Sequence, residues 1–149
     1  MILNMSSINV FKKKIEIDIH KNIFNITRYK NKKTEIQKYL LQLKEYKNKY
    51  IFLLSKKFFS GVTQHRIQFY FNFILMLQKL IDQQNIWLNY FKQKLKKRLL
   101  IQYKLNSTLE QWKKLELRLK NRIIKEKILI DQRNDNAVCL NFYSILTLK

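Results

Sequence analysis

The chain has 149 residues, with 31 lysines and arginines against 10 acids, one glycine and no proline. Because tight turns depend on glycine and proline, this composition argues against a sandwich, a barrel or a doubly wound sheet. A hydrophobic fraction of 46%, including ten phenylalanines and eight tyrosines, excludes a polar disordered tail.

Helix 1 is predicted over about 10–59. Its apolar side chains recur at helical spacing in Tyr39, Leu43, Tyr46, Tyr50 and Leu53. Nearer the N-terminus, residues 15–19 alternate between apolar and acidic side chains, as a strand does. Since no second strand is in view, we predict that this stretch is also helical.

A turn is predicted over 60–63, where Gly61 separates two long segments that contain no helix breaker. Glycine readily adopts the left-handed conformation that ends a helix. Thr63 is suited to cap the helix that follows.

Helix 2 is predicted over about 64–133 from a heptad repeat, which is typical of a coiled coil. Twelve of the seventeen a and d positions are apolar. The a and d positions are Ile74, Leu77, Ile81, Gln84, Leu88, Phe91, Leu95, Arg98, Gln102, Leu105, Leu109, Trp112, Glu116, Leu119, Ile123, Glu126 and Ile130. The remaining tail, 134–149, contains three asparagines and is expected to fray.

These elements predict an all-α fold, a long antiparallel two-helix coiled-coil hairpin with its turn near Gly61, forming one elongated domain over 1–149. In such a hairpin, facing residues have numbers that sum to about 123. Tyr46 then lies level with Leu77, and Tyr50 with Phe73. Helix 1 provides no partners for residues near Asp131, so helix 2 should extend beyond helix 1.

Nothing in the sequence favours catalysis. A two-helix hairpin offers ridges rather than a pocket, one glycine cannot build a phosphate-binding loop, and His20 and His65 are far apart. Cys139 has no internal disulfide partner, and two histidines are too few for a typical metal cage. We therefore predict a non-catalytic protein without metal or cofactor, in a reduced cytoplasmic environment.

No targeting or membrane-spanning segment is expected either. Met1 to Val10 lacks the basic region and the long apolar region of a signal peptide. The most apolar stretch, Ile67 to Ile81, is interrupted by polar residues and is shorter than the roughly 20 residues of a membrane span.

A basic collar is predicted halfway along the hairpin, where cations of the two helices come level. Its members are Lys30, Lys32, Lys33, Lys92, Lys94, Lys96, Lys97 and Arg98. Three interpretations remain open: a solvated helix exterior, a site for an acidic protein surface, or a site for nucleic acid, whose phosphates would give salt-sensitive affinity.

The aromatic stripe near the turn also has two interpretations. Tyrosine and phenylalanine at a and d positions usually form the seam of the coil, each contributing roughly 1.5 to 3 kcal/mol when buried. However, the apolar arc from Ile36 to Leu54 is wider than one partner helix covers, which favours an additional docking surface.

The pattern resembles the flagellar FliJ family. The resemblance is carried by the run Leu43-Lys44-Glu45-Tyr46-Lys47-Asn48-Lys49-Tyr50, the turn at Gly61, and the stretch Phe73 to Gln84 with Phe73, Leu77, Ile81 and Gln83. It extends over roughly Ile36 to Asp131.

The resemblance implies a stalk of the flagellar type III export apparatus, an antiparallel coiled coil similar to the rotor stalk of F-type ATPases. Such a stalk inserts into the hexameric export ATPase, promotes its assembly and activity, engages the cytoplasmic region of the export gate protein FlhA, and helps cycle export chaperones. It implies no small-molecule substrate, and a cytoplasmic location at the inner-membrane face of the flagellar basal body. The alternative function is that of a basic helical nucleic-acid-binding protein.

The resemblance also implies which residues contact the gate protein. We call them the gate surface. They are Tyr39, Leu43, Tyr46, Tyr50, Phe73, Leu77, Leu80 and Gln84.

Overall fold

The computed structural model describes residues 4–61 and 63–147. These residues form two helices, α1 (Met5–Phe59) and α2 (Gln64–Thr147), and contain no strand. The helices pack against each other, which confirms the predicted all-α helical hairpin. Contacts divide the chain into two units: unit 1 combines the start of α1, through Ile19, with α2 from Lys104 onward, and unit 2 runs from His20 to Tyr103. The single domain over 1–149 stays a prediction.

Helix α1 begins at Met5, earlier than the predicted start near residue 10. Asn4 caps it: its side-chain Oδ1 accepts a hydrogen bond from the Ser7 amide at 2.8 Å, and its carbonyl accepts one from the Ile8 amide. An asparagine at this position satisfies a backbone amide that the first turn leaves unpaired. Residues 15–19 are helical, so their alternation does not mark a strand.

The turn between the helices contains Gly61, whose φ of 76° lies in the left-handed region. Ser60 donates its amide to the Lys56 carbonyl, and closes the last turn of α1. The Thr63 carbonyl accepts hydrogen bonds from the amides of Arg66 and Ile67, which is how an N-cap residue starts a helix. The predicted position of the turn and the role of its glycine are therefore confirmed.

Unit 2 has a core of four buried side chains, Leu40, Leu43, Leu77 and Ile81. Further along the same pair of helices, Tyr29 packs against Phe91 with ring centroids 6.1 Å apart. These residues face one another in the antiparallel register that the sequence predicts.

Unit 1 is held by a smaller set of contacts between the start of α1 and the middle of α2. Phe11 stacks on Trp112 with ring centroids 5.0 Å apart and planes 15° from parallel. Beside them, the Lys12 ammonium lies 3.1 Å from a carboxylate oxygen of Glu116. Ile8 is completely buried.

The heptad positions from Ile74 to Leu119 are all buried or half-buried, whereas Ile123, Glu126 and Ile130 are exposed. Helix α2 nevertheless continues to Thr147, beyond the end predicted near 133, and every residue over 121–147 is exposed. That segment contains no glycine or proline, and asparagine costs less than about 0.7 kcal/mol in a helix, so nothing local ends it. We call residues 121–147 the free end of α2.

Candidate functional site

The gate surface lies within unit 2, on both helices, and its members differ widely in exposure. Leu43 and Leu77 are buried in the core, with Leu77 only 4% exposed. Tyr50, Phe73, Leu80 and Gln84 are half-buried. Only Tyr39 and Tyr46 are exposed, Tyr46 by 55%.

Packing explains why the half-buried aromatic residues of this set are not open. Tyr50 packs against Phe73 with ring centroids 4.5 Å apart, and against Tyr70 at 6.1 Å. Both Tyr50 and Phe73 also touch the buried leucine and isoleucine core. Since these rings pack between the two helices, their main role is in the seam of the coil.

Tyr46 offers a more open contact. It lines a shallow surface groove with Gln42, Glu45 and Lys49. A tyrosine provides both apolar area and a hydrogen-bonding hydroxyl, as is common for residues that anchor protein–protein interfaces.

The basic collar also lies within unit 2. Lys30, Lys32, Lys92, Lys96 and Lys97 are exposed, and Lys33, Lys94 and Arg98 are half-buried. Lys32 forms a weak pair with Glu35 at 3.8 Å, both side chains being largely exposed. Most of the collar's charge is exposed to solvent, so its interaction with an anionic partner is strong only at low salt.

Aromatic rings border the collar, which the sequence alone did not single out. Trp87 packs edge-on against Tyr90, and Tyr90 against Phe91. The Lys94 ammonium sits over the Tyr90 ring, 5.5 Å from its centroid. Trp87 and Tyr90 are half exposed, so the collar has an apolar edge as well as a charged one.

A buried polar residue beside the collar was also missed. Asn22 is 3% exposed, and its Nδ2 donates to the Arg98 carbonyl at 2.9 Å and to Gln102 Oε1 at 3.0 Å. Its Oδ1 is buried and accepts no hydrogen bond from the described residues. The heptad repeat contains a signal for this site, because Arg98 and Gln102 are consecutive polar a and d positions.

In unit 1, Glu116 is paired with cations from both helices. One carboxylate oxygen lies 3.0 Å from the Lys120 ammonium and the other 3.1 Å from that of Lys12. The hydrogen bonds from Lys120 and then Lys12 lower the pKa of the Glu116 carboxyl. The charged form therefore stabilises the unit at neutral pH.

The free end of α2 exposes a large apolar area to solvent. Its exposed large hydrophobic residues are Ile123, Ile124, Ile128, Leu129, Ile130, Val138, Leu140, Phe142, Tyr143, Ile145 and Leu146. Four cations and three acids leave it close to neutral, in contrast to the strongly basic remainder of the chain. An unpacked apolar helix of this length is suited to a protein partner.

Within the described residues, no group of acids, histidines or cysteines could hold a metal ion. None of the described helical segments is both long and apolar enough to cross a membrane. Cys139 is a free, exposed thiol in the free end of α2.

Comparison with curated proteins gives a match to the flagellar FliJ protein of Buchnera aphidicola subsp. Schizaphis graminum (strain Sg). The two are 35% identical over 130 residues, which cover 83% of this chain and 79% of the relative. The chain belongs to the FliJ family. This confirms the resemblance seen in the sequence. Membership of this family indicates a flagellar component. No protein-family profile and no solved structure matches it.

Proposed function

We propose that this FliJ-family chain is a non-catalytic stalk of the flagellar protein export apparatus. In this role it binds the hexameric export ATPase, promotes its assembly and activity, couples it to the cytoplasmic region of the gate protein FlhA, and helps cycle export chaperones. The observation that carries the proposal is the 35% identity to a flagellar FliJ protein over most of both chains. Its location is cytoplasmic, at the inner-membrane face of the basal body.

The free end of α2 supports the ATPase contact. Every residue over 121–147 is exposed. A helix with an unpaired apolar face is marginal in water by itself and is stabilised when a partner buries that face. We assign this segment, with the rest of unit 1, to the ATPase.

Exposed tyrosines in unit 2 support the gate contact. Tyr46 and Tyr39 present open rings, whereas Leu43 and Leu77 hold the two helices together. The gate surface then works in two ways: the exposed tyrosines touch the partner, and the buried residues keep the tyrosines in position.

The collar is assigned to an acidic protein surface. Reversing Lys94, Lys96 and Lys97 to glutamate removes cations that have no ion-pair partner among the described residues and changes the local charge by six. We expect reduced stimulation of the ATPase, with the difference shrinking at high salt. Unchanged stimulation at both salt concentrations would leave the collar as a solvated face.

The deciding experiment is co-purification with the flagellar export ATPase, followed by an ATPase assay with and without this chain. We expect a stable complex and a higher turnover per ATPase subunit. Failure to bind, together with unchanged turnover, contradicts the proposal.

A parallel measurement addresses the nucleic-acid alternative. A protein that contacts several phosphates loses affinity steeply as salt increases. We expect only weak binding to single- and double-stranded oligonucleotides at physiological salt. Tight binding with a steep salt slope would favour the alternative.

A further inference from the structure

A surface separate from the gate surface and the collar lies where α1 and α2 meet the turn. Four phenylalanines are exposed there, Phe52, Phe58, Phe59 and Phe69, and Phe59 reaches 88% exposure. Three cations lie among them, Lys56, Lys57 and Arg66. We call these seven residues the tip patch.

The aromatic part of the tip patch is unusual for a surface in water. Six of the ten phenylalanines in the chain fall between residues 52 and 73, and only Phe73 among them is half-buried in the core. A phenyl ring has no polar group that water can satisfy, so a cluster of exposed rings favours an apolar environment.

The charged part of the tip patch has a single sign. Residues 46–81 contain six lysines and arginines and no acid. The Lys56 ammonium lies over the Phe52 ring, 4.7 Å from its centroid, and that of Lys57 lies over the Tyr70 ring at 4.4 Å. No acid is thus available within this stretch to neutralise the cations.

A shallow groove contains both aromatic and cationic side chains. Its lining residues are Lys57, His65, Arg66, Phe69 and Tyr70. Cationic donors beside an exposed phenyl ring match a ligand with an anionic head and an apolar body.

The position of the rings at the end of the hairpin favours a partner with an extended surface over one that binds in a groove. Phe58 and Phe59 occupy the last two positions of α1, and Phe69 lies five residues into α2, about 8 Å from its start by helical rise. Interfacial side chains enter a bilayer to a depth of about 5–10 Å. The rings of Phe58, Phe59 and Phe69 therefore fall within the depth that a bilayer interface accepts. Phe52, seven residues before the end of α1, lies about 11 Å from that end, at the limit of this depth.

Two other occupants fit less well. A second copy would bring two tips of the same positive charge together, which Coulomb repulsion opposes. Single-stranded nucleic acid is bound by rings and cations spaced along a groove that follows the strand, whereas here the rings cluster at the end of a hairpin.

We propose that the tip patch inserts into an anionic lipid surface. The phenylalanines enter the boundary between headgroups and acyl chains, and Lys56, Lys57 and Arg66 pair with lipid phosphates. This goes beyond the proposed attachment through the gate protein, because here the chain contacts the lipid itself.

The test is flotation of the full chain with vesicles of phosphatidylglycerol and phosphatidylcholine, compared with phosphatidylcholine alone. No ATPase or gate protein is present, so the result does not depend on the proposed function. We expect binding to the anionic vesicles only. Phe58→Ser with Phe59→Ser should weaken it at least about tenfold, because two rings no longer leave water.

Matched variants distinguish specific membrane binding by the tip patch from nonspecific binding by any exposed apolar or basic residues. Phe142→Ser with Tyr143→Ser removes a neighbouring pair of exposed rings from the free end of α2 and should leave binding unchanged. Lys56→Gln with Arg66→Gln should weaken binding about 25-fold, at roughly fivefold per charge, whereas Lys13→Gln with Lys14→Gln should have little effect. Circular dichroism checks that each variant keeps its helix content.

A direct depth measurement uses Phe59→Trp in a chain whose Trp87 and Trp112 are replaced by phenylalanine. We expect a blue-shifted emission with anionic vesicles and quenching by brominated lipid. Equal binding to neutral vesicles, loss of binding with the Phe142 and Tyr143 pair instead, or an unshifted emission from the introduced tryptophan would overturn the proposal. So would oligonucleotide binding that depends on Phe58 and Phe59 while vesicle binding does not.

Discussion

The side-chain amide of Asn22 on α1 donates a hydrogen bond to the backbone carbonyl of Arg98 on α2 at 2.9 Å. This bond joins the two helices of unit 2 at a buried position. Buried asparagines in coiled coils fix register and orientation at a cost in stability, because they tolerate only the arrangement that satisfies the amide.

Asn22→Leu is therefore expected to raise the unfolding free energy of the hairpin by about 1 kcal/mol and to relax its register. Thermal unfolding followed by circular dichroism measures the first effect. Spin labels at Thr34 and Asn89, in a Cys139→Ser background, measure the second as a broader distance distribution. Lower stability with an unchanged distribution would show that Asn22 is simply a well-satisfied core residue.

Gly61→Ala should destabilise the hairpin by about 1–2 kcal/mol because alanine is strained at positive φ. An added Cβ meets no atom within 4 Å, so the cost comes from the backbone and not from a clash. Gly61→Asn should cost less, since asparagine tolerates this region better. Equal melting temperatures for the three proteins would mean that the turn adopts another conformation in solution.

Leu77→Ala and Tyr46→Ala should separate the seam from the docking contact. Leu77 is buried, so its truncation should cost about 2–5 kcal/mol. Tyr46 is exposed, and Tyr46→Ala should change stability by less than about 0.5 kcal/mol while weakening binding to the FlhA cytoplasmic region. Denaturant unfolding and calorimetric titration give the two quantities for each variant.

Glu116 should give unit 1 an acid-sensitive contribution. Its pKa is lowered in the folded chain by Lys120 and Lys12. The carboxylate therefore stabilises the fold above the ordinary pKa of the unfolded chain's glutamate, and this stabilisation is lost as pH falls through the lower folded pKa.

Melting temperature against pH tests this contribution. Glu116→Gln should flatten the acid side of the profile. Glu110→Gln is the matched control, since Glu110 pairs with Lys113 of the same helix at 3.6 Å and both side chains are exposed. Parallel profiles for the native chain and Glu116→Gln would contradict the role assigned to this carboxylate.

Ending the chain after Lys120 should leave the melting temperature nearly unchanged, because every described side chain beyond it is exposed. The same truncation should abolish stimulation of the export ATPase. Circular dichroism and the ATPase assay distinguish these outcomes. A large drop in melting temperature would show that the free end packs on the rest of the chain.

The elements of the hairpin were predictable because they follow from local chemistry and periodicity. Gly61 is the only residue that adopts positive φ among those described, and every heptad position from Ile74 to Leu119 is buried or half-buried. The end of α2 was not predictable from its asparagines, because a helix can continue where no breaker stops it. The start of α1 was not predictable either, because it is set by a single side-chain cap at Asn4.

The candidate site was less accessible to sequence reasoning. Leu43 and Tyr46 belong to one apolar arc, and only the position of α2 shows that the first is buried and the second exposed. The phenylalanines beside Gly61 were visible in the sequence. Their exposure was not, because it depends on which of these side chains the opposite helix contacts. Asn22 reads as an ordinary polar residue until Arg98 and Gln102 are placed beside it.

The antiparallel connection through Gly61 also determines an order of assembly. Lys57 and Tyr70, next to the turn, are separated by 13 positions along the chain, whereas Lys12 and Glu116 are separated by 104. Closing a longer loop costs more chain entropy, so contacts near the turn form first and those of unit 1 last. Contacts between the two helices then form in sequence, from the turn towards the ends of the hairpin.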